Sequence, residues 1–238
     1  MDSPPRYNRA LLKISGEALA GDRGFGLDAE RTAWIAGQIA QVHRSGIEVG
    51  IVIGGGNIMR GVDASAVGVP PLVGDQMGMI ATVVNALALR AALESLGLSA
   101  RILSAFSVGT FVEVYERLKA LEYVSSGHVV IFAGGTGNPC FTTDSAAALR
   151  AVEIEADVMV KATQARGVFD KDPREHSDAV FFESISAQEV LERRLGVMDA
   201  ASVEILGRRK IPTIVLDLHV EGNISRALAG ERVGTVIF

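Results

Sequence analysis

The chain has 238 residues, a formal net charge of −5 and 48% hydrophobic residues, of which few are aromatic. An acidic balance offers no basic surface to nucleic acid or to an anionic membrane. A single cysteine, Cys140, excludes an internal disulfide framework and a cysteine-based zinc site.

Residues 1–6 read as a flexible tail without the basic and apolar regions of a signal peptide, so a cytoplasmic protein is expected. Ala10–Ser15 reads as a short apolar strand, and 16–27 as a loop rich in glycine (Gly16, Gly21, Gly24, Gly26). Asp28 can cap a helix with the apolar stripe Trp34, Ile35, Ile39 and Val42, ended by Gly46. Val49–Ile53 is a second strand, running into Gly54, Gly55, Gly56 and Asn57. A long helix is expected from about Asp75 to Leu96, with the stripe Met77, Ile80, Val84, Leu87 and Ala91. Val83 and Leu89 are apolar on other faces, so this helix is either central or buried in a subunit contact. Met77–Leu98 is no membrane span, because Asn85, Arg90 and Glu94 interrupt it.

Ala100–Leu103 follows as a strand, Phe111–Tyr123 as a helix and His128–Ala133 as a buried strand. The stretch 133–144 is too long and too specialised for a plain connection, and its glycines, threonines and Asn138 suit ligand binding. A helix then runs over Ser145–Ala156, with Thr143 or Asp144 as its cap. Asp157–Ala162 is a strand, and 164–186 a hairpin-like excursion ending in the alternating run Ala179–Ile185. Helices at Ala187–Leu195 and Asp199–Arg209, a strand at Pro212–Leu218, a helix near Asn223–Ala229 and a strand at Thr235–Phe238 complete the chain.

Strands alternating with helices predict a mostly parallel sheet covered on both faces, in one domain over 1–238. The runs Ile51–Asn57 and Val130–Asn138 echo one another, each a strand opening into a glycine-rich loop that ends in asparagine. In an open parallel sheet both openings lie at the carboxyl edge, where ligands bind.

No Gly-Lys dipeptide occurs, so the P-loop pattern fails, and the dinucleotide fingerprint fails on glycine spacing. Four scattered histidines lack ligand spacing, and no G-x-S-x-G elbow is present. Lys13 and Lys161 each stand near the carboxyl end of an apolar strand. One such lysine can snorkel to the surface; two, beside two glycine loops, point to a bound polyanion. Asp144 is the plausible partner of both ammonium groups and Asp199 a second candidate, although each is also a good helix cap. Arg60 could clamp a phosphate bidentately.

At this point the residues match a known family. Leu11–Leu19, Gly24–Gly26, Val52–Asn57, Gly74–Asp75, Met77–Met79, Gly135–Pro139, Phe141–Ala146, Glu153–Asp157, Lys161–Thr163, Gly167–Phe169, Asp172–Pro173 and Val197–Asp199 all take part. End to end, the chain resembles the bacterial uridylate (UMP) kinases of the amino-acid-kinase superfamily. The resemblance implies an α/β three-layer αβα sandwich and transfer of a phosphoryl group from ATP to UMP, with Mg²⁺ carried on the nucleotide phosphates and no protein metal site. It puts Lys13, Ser15, Gly16, Gly56, Arg60, Thr163, Phe169 and Asp172 on ATP positions. Gly55, Asp75, Thr136, Gly137, Asn138, Pro139, Cys140, Phe141, Thr142 and Thr143 fall on UMP positions. Lys13, Lys161, Asp144 and Asp199 are the expected catalytic set.

A hexamer of dimers, GTP as activator and UTP as inhibitor are also implied. Gly21, Asp22, Arg23, Gly24, Phe25, Gly26, Arg90 and Arg101 match the GTP positions. Departures are Cys140, where an aromatic is common, and Glu94 and His128, where some members have basic residues. Carbamate, acetylglutamate, glutamate and aspartate kinases share the scaffold but lack the Thr136–Thr143 loop. A nucleotide-binding storage or regulatory protein on the same fold is the rival from another class.

Overall fold

The computed structural model describes residues 6–59 and 68–238. Its centre is a nine-stranded sheet in the order β4-β3-β5-β2-β1-β6-β10-β11-β9. The strands are β1 (Arg9–Ile14), β2 (Glu48–Ile53), β3 (Ala100–Ser104), β4 (Glu113–Val114), β5 (Val129–Ala133), β6 (Val158–Thr163), β9 (Ser184–Ile185), β10 (Thr213–Asp217) and β11 (Thr235–Ile237). All neighbours pair in parallel except β10 and β11. The 164–186 excursion forms the expected hairpin, β7 (Val168–Phe169) against β8 (Phe181–Phe182).

Helices α1 (Ala29–Arg44), α2 (Pro71–Ser95) and α7 (Asn223–Leu228) cover one face, where Leu12, Ile14, Ile39, Ile53, Leu89 and Ile224 pack together. Helices α3 (Arg117–Ser125), α4 (Thr143–Glu153), α5 (Ala187–Glu192) and α6 (Ala200–Arg209) cover the other, over Leu11, Val52, Phe132 and Met159. Alternation along β1 decides the division, since Leu12 and Ile14 face the first layer while Leu11 and Lys13 face the second. The result is the expected αβα sandwich with a mostly parallel sheet.

Several local expectations are corrected. The long helix starts at Pro71 rather than near Asp75, because proline at its first positions is preset for a helical start. Of its stripe, Ile80 (57%), Val84 (42%) and Ala91 are exposed, while Met77 and Leu87 are half-buried, Leu87 against the core. The buried face instead carries Gly74, Thr82 and Asn85 along with Ala81, Val83, Ala86, Leu89 and Leu93. Phe111–Glu116 is not helical: β4 lies there, parallel to the end of β3, and α3 begins only at Arg117. Val112 is buried there and Val114 exposed. The tail is already anchored at Arg6, whose N–H donates to the Leu228 carbonyl at 3.0 Å. Residues 1–5 and Arg60 lie outside the described residues.

Candidate active site

Lys13 and Lys161 are direct register partners on neighbouring parallel strands, so both side chains leave the sheet on the same face. The first turn of α4 brings Asp144 between them. Lys161 Nζ donates to Asp144 Oδ2 at 2.5 Å, and Lys13 Nζ lies 2.8 Å from Oδ1 as an ion pair. Oδ1 is buried and receives no aligned hydrogen bond among the described residues, so that contact is Coulombic. Lys161 is only 8% exposed. Desolvation, then the nearby Lys13 charge, lowers its pKa against the opposing pull of Asp144 and Asp199.

The cap of α4 is Thr142 rather than Thr143 or Asp144. Thr142 has extended backbone (φ −83°, ψ 169°) and its Oγ1 accepts from the Asp144 and Ser145 N–H groups. Asp199 caps α6 by accepting from Ser202 N–H at 2.8 Å. It also accepts from the Thr142 hydroxyl and from Ser145 through both N–H (3.1 Å) and Oγ (2.9 Å). One carboxylate thus ties together the starts of two helices. Burial opposes its charge, but the bonds from Thr142, Ser202 and Ser145 outweigh burial and hold its pKa below the ordinary carboxylate value.

Beside the lysines, β2 and β5 pair directly, so their glycine loops leave adjacent strands. They border a cleft of about 540 Å³ lined by Ser15, Gly16, Gly54–Gly56, Asp75, Thr136, Asn138, Pro139 and Phe141–Thr143, among others. Glycine is required at two points of close approach. A Cβ at Gly55 would stand 2.5 Å from the Gly78 carbonyl oxygen, and one at Gly16 would stand 2.6 Å from the Gly54 oxygen. The second loop takes its shape from left-handed residues at Gly134, Gly135, Gly137 and Cys140.

Helix α2 holds both loops from below. Asn85 Nδ2 donates to the Gly54 carbonyl at 2.7 Å, and Thr82 Oγ1 accepts from Gly134 N–H at 2.7 Å. Asp75 Oδ2 accepts from Cys140 N–H at 2.8 Å. Thr82 and Asn85 have no role in the sequence reading, and Asn57 stands there only as part of a motif. The signal was available: positions 75, 78, 82 and 85 form one helical seam of polar or small residues in an otherwise apolar helix.

Thr163 ends β6 and Phe169 lies in β7, its ring edge-on to Phe181 at 5.3 Å between centroids. Asp172 is held by Arg174, whose guanidinium and N–H bonds bring its pKa down to about 2. Gly21, Gly24 and Gly26 have positive φ, and Gly26 N–H donates to Asn57 O at 2.7 Å, so 21–26 lies beside the loop that leaves β2 at the carboxyl edge. Arg90 lies 15 residues beyond Asp75 on α2, roughly 22 Å along the axis. Arg101 opens β3 at the amino edge of the sheet, its guanidinium 5.6 Å from the Tyr123 ring centroid. Within one chain the loop and Arg101 therefore lie at opposite edges.

Two ammonium groups fixed by one buried carboxylate, at a rim with two glycine loops, have the chemistry that suits phosphates. The model of the amino acid kinase family matches residues 8–217. The chain belongs to the amino acid kinase family. Uridylate kinase of Dichelobacter nodosus is 48% identical over 98% of this chain and 97% of its own length. Uridylate kinase of Bacteroides thetaiotaomicron is 45% identical over 98% of each. The crystal structure of UMP kinase from Bacillus anthracis superposes with a TM-score of 0.94 at 36% identity, covering 97% of this chain and 96% of that one. UMP kinase from Ureaplasma parvum gives 0.91 at 33% identity, covering 98% and 99%.

Proposed function

We propose that this amino acid kinase transfers the γ-phosphoryl group of ATP to UMP, giving ADP and UDP. The observation that carries the reading is the Lys13–Asp144–Lys161 cluster beside the cleft formed by the two glycine loops. UMP lies along Gly55, Asp75 and Thr136–Thr143, and ATP along Ser15, Gly16, Gly56, Arg60, Thr163, Phe169 and Asp172. A phosphate oxygen of UMP attacks the γ-phosphorus in line as the bond to the β–γ bridging oxygen breaks, and ADP leaves with that electron pair. The nucleophile is already anionic near neutral pH, so no general base is required. This agrees with Asp144 being committed to two ammonium groups. Lys13 and Lys161 neutralise charge on the moving group from fixed positions, Asp144 holds them there, and Asp199 fixes the start of α4.

Mg²⁺ would be carried on the phosphates of the donor nucleotide. Among the described residues no three His, Cys, Asp or Glu side chains converge as a ligand set, which suits a metal carried on phosphates. When bound, Mg²⁺ would lower the charge of the polyphosphate. Excluding water from the acceptor position falls to the 16–27 loop or the 164–173 excursion.

One nine-stranded sheet takes strands from both ends of the chain, which supports a single domain over 1–238. The uncovered apolar face of α2, with Leu72, Val73, Ile80 and Val84 exposed, supports assembly into dimers and from these a hexamer. By length and composition alone α2 could also cross a membrane. Its seam of bonds to both cleft loops fits a helix of a cytoplasmic enzyme instead. GTP activation would use Gly21–Gly26 with Arg90 and Arg101, necessarily from different protomers, with UTP as inhibitor. The deciding assay offers UMP, CMP, AMP and carbamate with Mg-ATP. ADP formation with UMP alone is expected, and binding of UMP without turnover would sink the reading in favour of a storage protein.

A further inference from the structure

The buried pair Asn57 and Asn85 belongs to neither the lysine cluster nor the loop residues assigned to nucleotides. Both side chains are fully buried. Asn57 Nδ2 donates to the Gly26 carbonyl at 2.6 Å and to Asn85 Oδ1 at 3.1 Å. Asn85 Nδ2 donates to Asn57 Oδ1 and to the Gly54 carbonyl, both at 2.7 Å. Each amide has two N–H bonds to give, and all four are made. A satisfied network of this kind, shielded from water, holds one geometry.

The bond to the Gly54 carbonyl has a stereochemical consequence. That oxygen and the Gly55 N–H belong to one trans peptide unit and point in opposite directions. Gly54 N–H still donates to Ile14 O in the sheet, so the chain turns out of the ladder at this peptide. Drawing the carbonyl down onto α2 aims the Gly55 N–H away from the helix, toward the cleft that Gly55 lines. Among the described residues no protein acceptor takes that N–H.

We infer that Asn85, locked by Asn57, is a positioning residue that presents the Gly55 N–H to the acceptor phosphate. The inference rests on UMP being the acceptor. The pair acts on the phosphate and not on the nucleoside, because among the described residues its bond to a cleft-lining group is to this peptide.

Asn85→Asp keeps the size and one acceptor for Asn57 but loses the donor to Gly54. Binding of UMP and of uridine to the variant and the parent, measured by calorimetry, tests the assignment. UMP affinity should fall about tenfold or more while uridine affinity changes less than twofold. Unchanged UMP affinity, or equal losses for both ligands, overturns the positioning role. Should the variant not fold, amide exchange in the parent protein decides: UMP should slow exchange at Gly55 and uridine should not. A Gly55 amide indifferent to UMP overturns the inference. Turnover of UMP by the parent protein is assayed alongside; its absence refutes the substrate reading, whereas an active parent with a Gly55 amide indifferent to UMP refutes only the role of Asn85.

Discussion

Asp144→Asn removes the negative charge between the buried Lys161 and the half-buried Lys13 while nearly preserving the size of the side chain that joins them. At 2.8 Å and an effective dielectric of about 20, the attraction between Asp144 and Lys13 is about 6 kcal/mol. The bond to Lys161 is slightly shorter and of similar gross strength. Most of this offsets the desolvation of three charges, and removing one partner of such a buried set costs about 3–5 kcal/mol. At roughly 2–4 °C per kcal/mol for a chain of this size, Tm should fall by about 10 °C. Two cations no longer held in place should lower kcat by roughly a hundredfold or more.

The pH profile gives a second, independent readout. In the folded chain Lys161 is held below the ordinary lysine value by desolvation and by Lys13. Between that lowered value and the ordinary one the unfolded chain binds more protons, so stability rises with pH across this window. Activity that needs the ammonium form runs the other way and is lost as pH rises through the lowered pKa. Without Asp144 that pKa drops further, so the alkaline limb of kcat should move to lower pH in Asp144→Asn. Steady-state kinetics across the alkaline range, with thermal melts at each pH, reads both effects. A kcat within threefold of the parent with an unmoved alkaline limb would refute the assignment of the cluster.

Lys161→Ala should lower kcat about a hundredfold or more while UMP still binds, as steady-state kinetics with equilibrium dialysis would register. Asp199→Ala loses the bonds from Thr142, Ser145 and Ser202 and should cost about 2 kcal/mol or more in denaturant titration near neutral pH. Because the Asp199 pKa is lowered on folding, its stabilisation is present above the ordinary carboxylate value and is lost as pH falls through the lowered one. The deficit of the variant should therefore shrink in acid. Replacing Ile80 and Val84 together by lysine should give monomers in sedimentation velocity if their face is the dimer contact, and an unchanged mass excludes it. GTP should raise the initial rate at subsaturating ATP, and Arg101→Ala should abolish that response; a rate indifferent to GTP removes the activator site.

The lysines and Asp144 were legible because an ammonium in an apolar strand is a physical anomaly that demands a partner, and the sheet register supplied it. The mostly parallel sheet covered on both faces followed from the alternation of strands and helices, whereas the order of its strands had no signal in the sequence. Which face of helix α2 meets the core stayed open for an equally physical reason. It is apolar on several faces: Ile80 and Val84 point outward, whereas Val83, Leu89 and Leu93 are buried beside the polar seam. Periodicity does not tell a core from a partner-facing surface. Thr142, Thr143 and Asp144 are all good caps, and only the backbone angles at Thr142 choose among them. The turn and strand at 111–116 were absorbed into the helix because Phe111, Val112 and Val114 extend its apolar content.

The pairing of residue 13 with residue 161 across two adjacent strands also constrains how this protein can evolve. Losing or gaining a single residue just upstream of either lysine would swing its ammonium through the sheet into the opposite greasy layer, among Leu12 and Val160. Length changes are therefore confined to the loops, and within these two strands only replacement of one side chain by another leaves the chemistry intact.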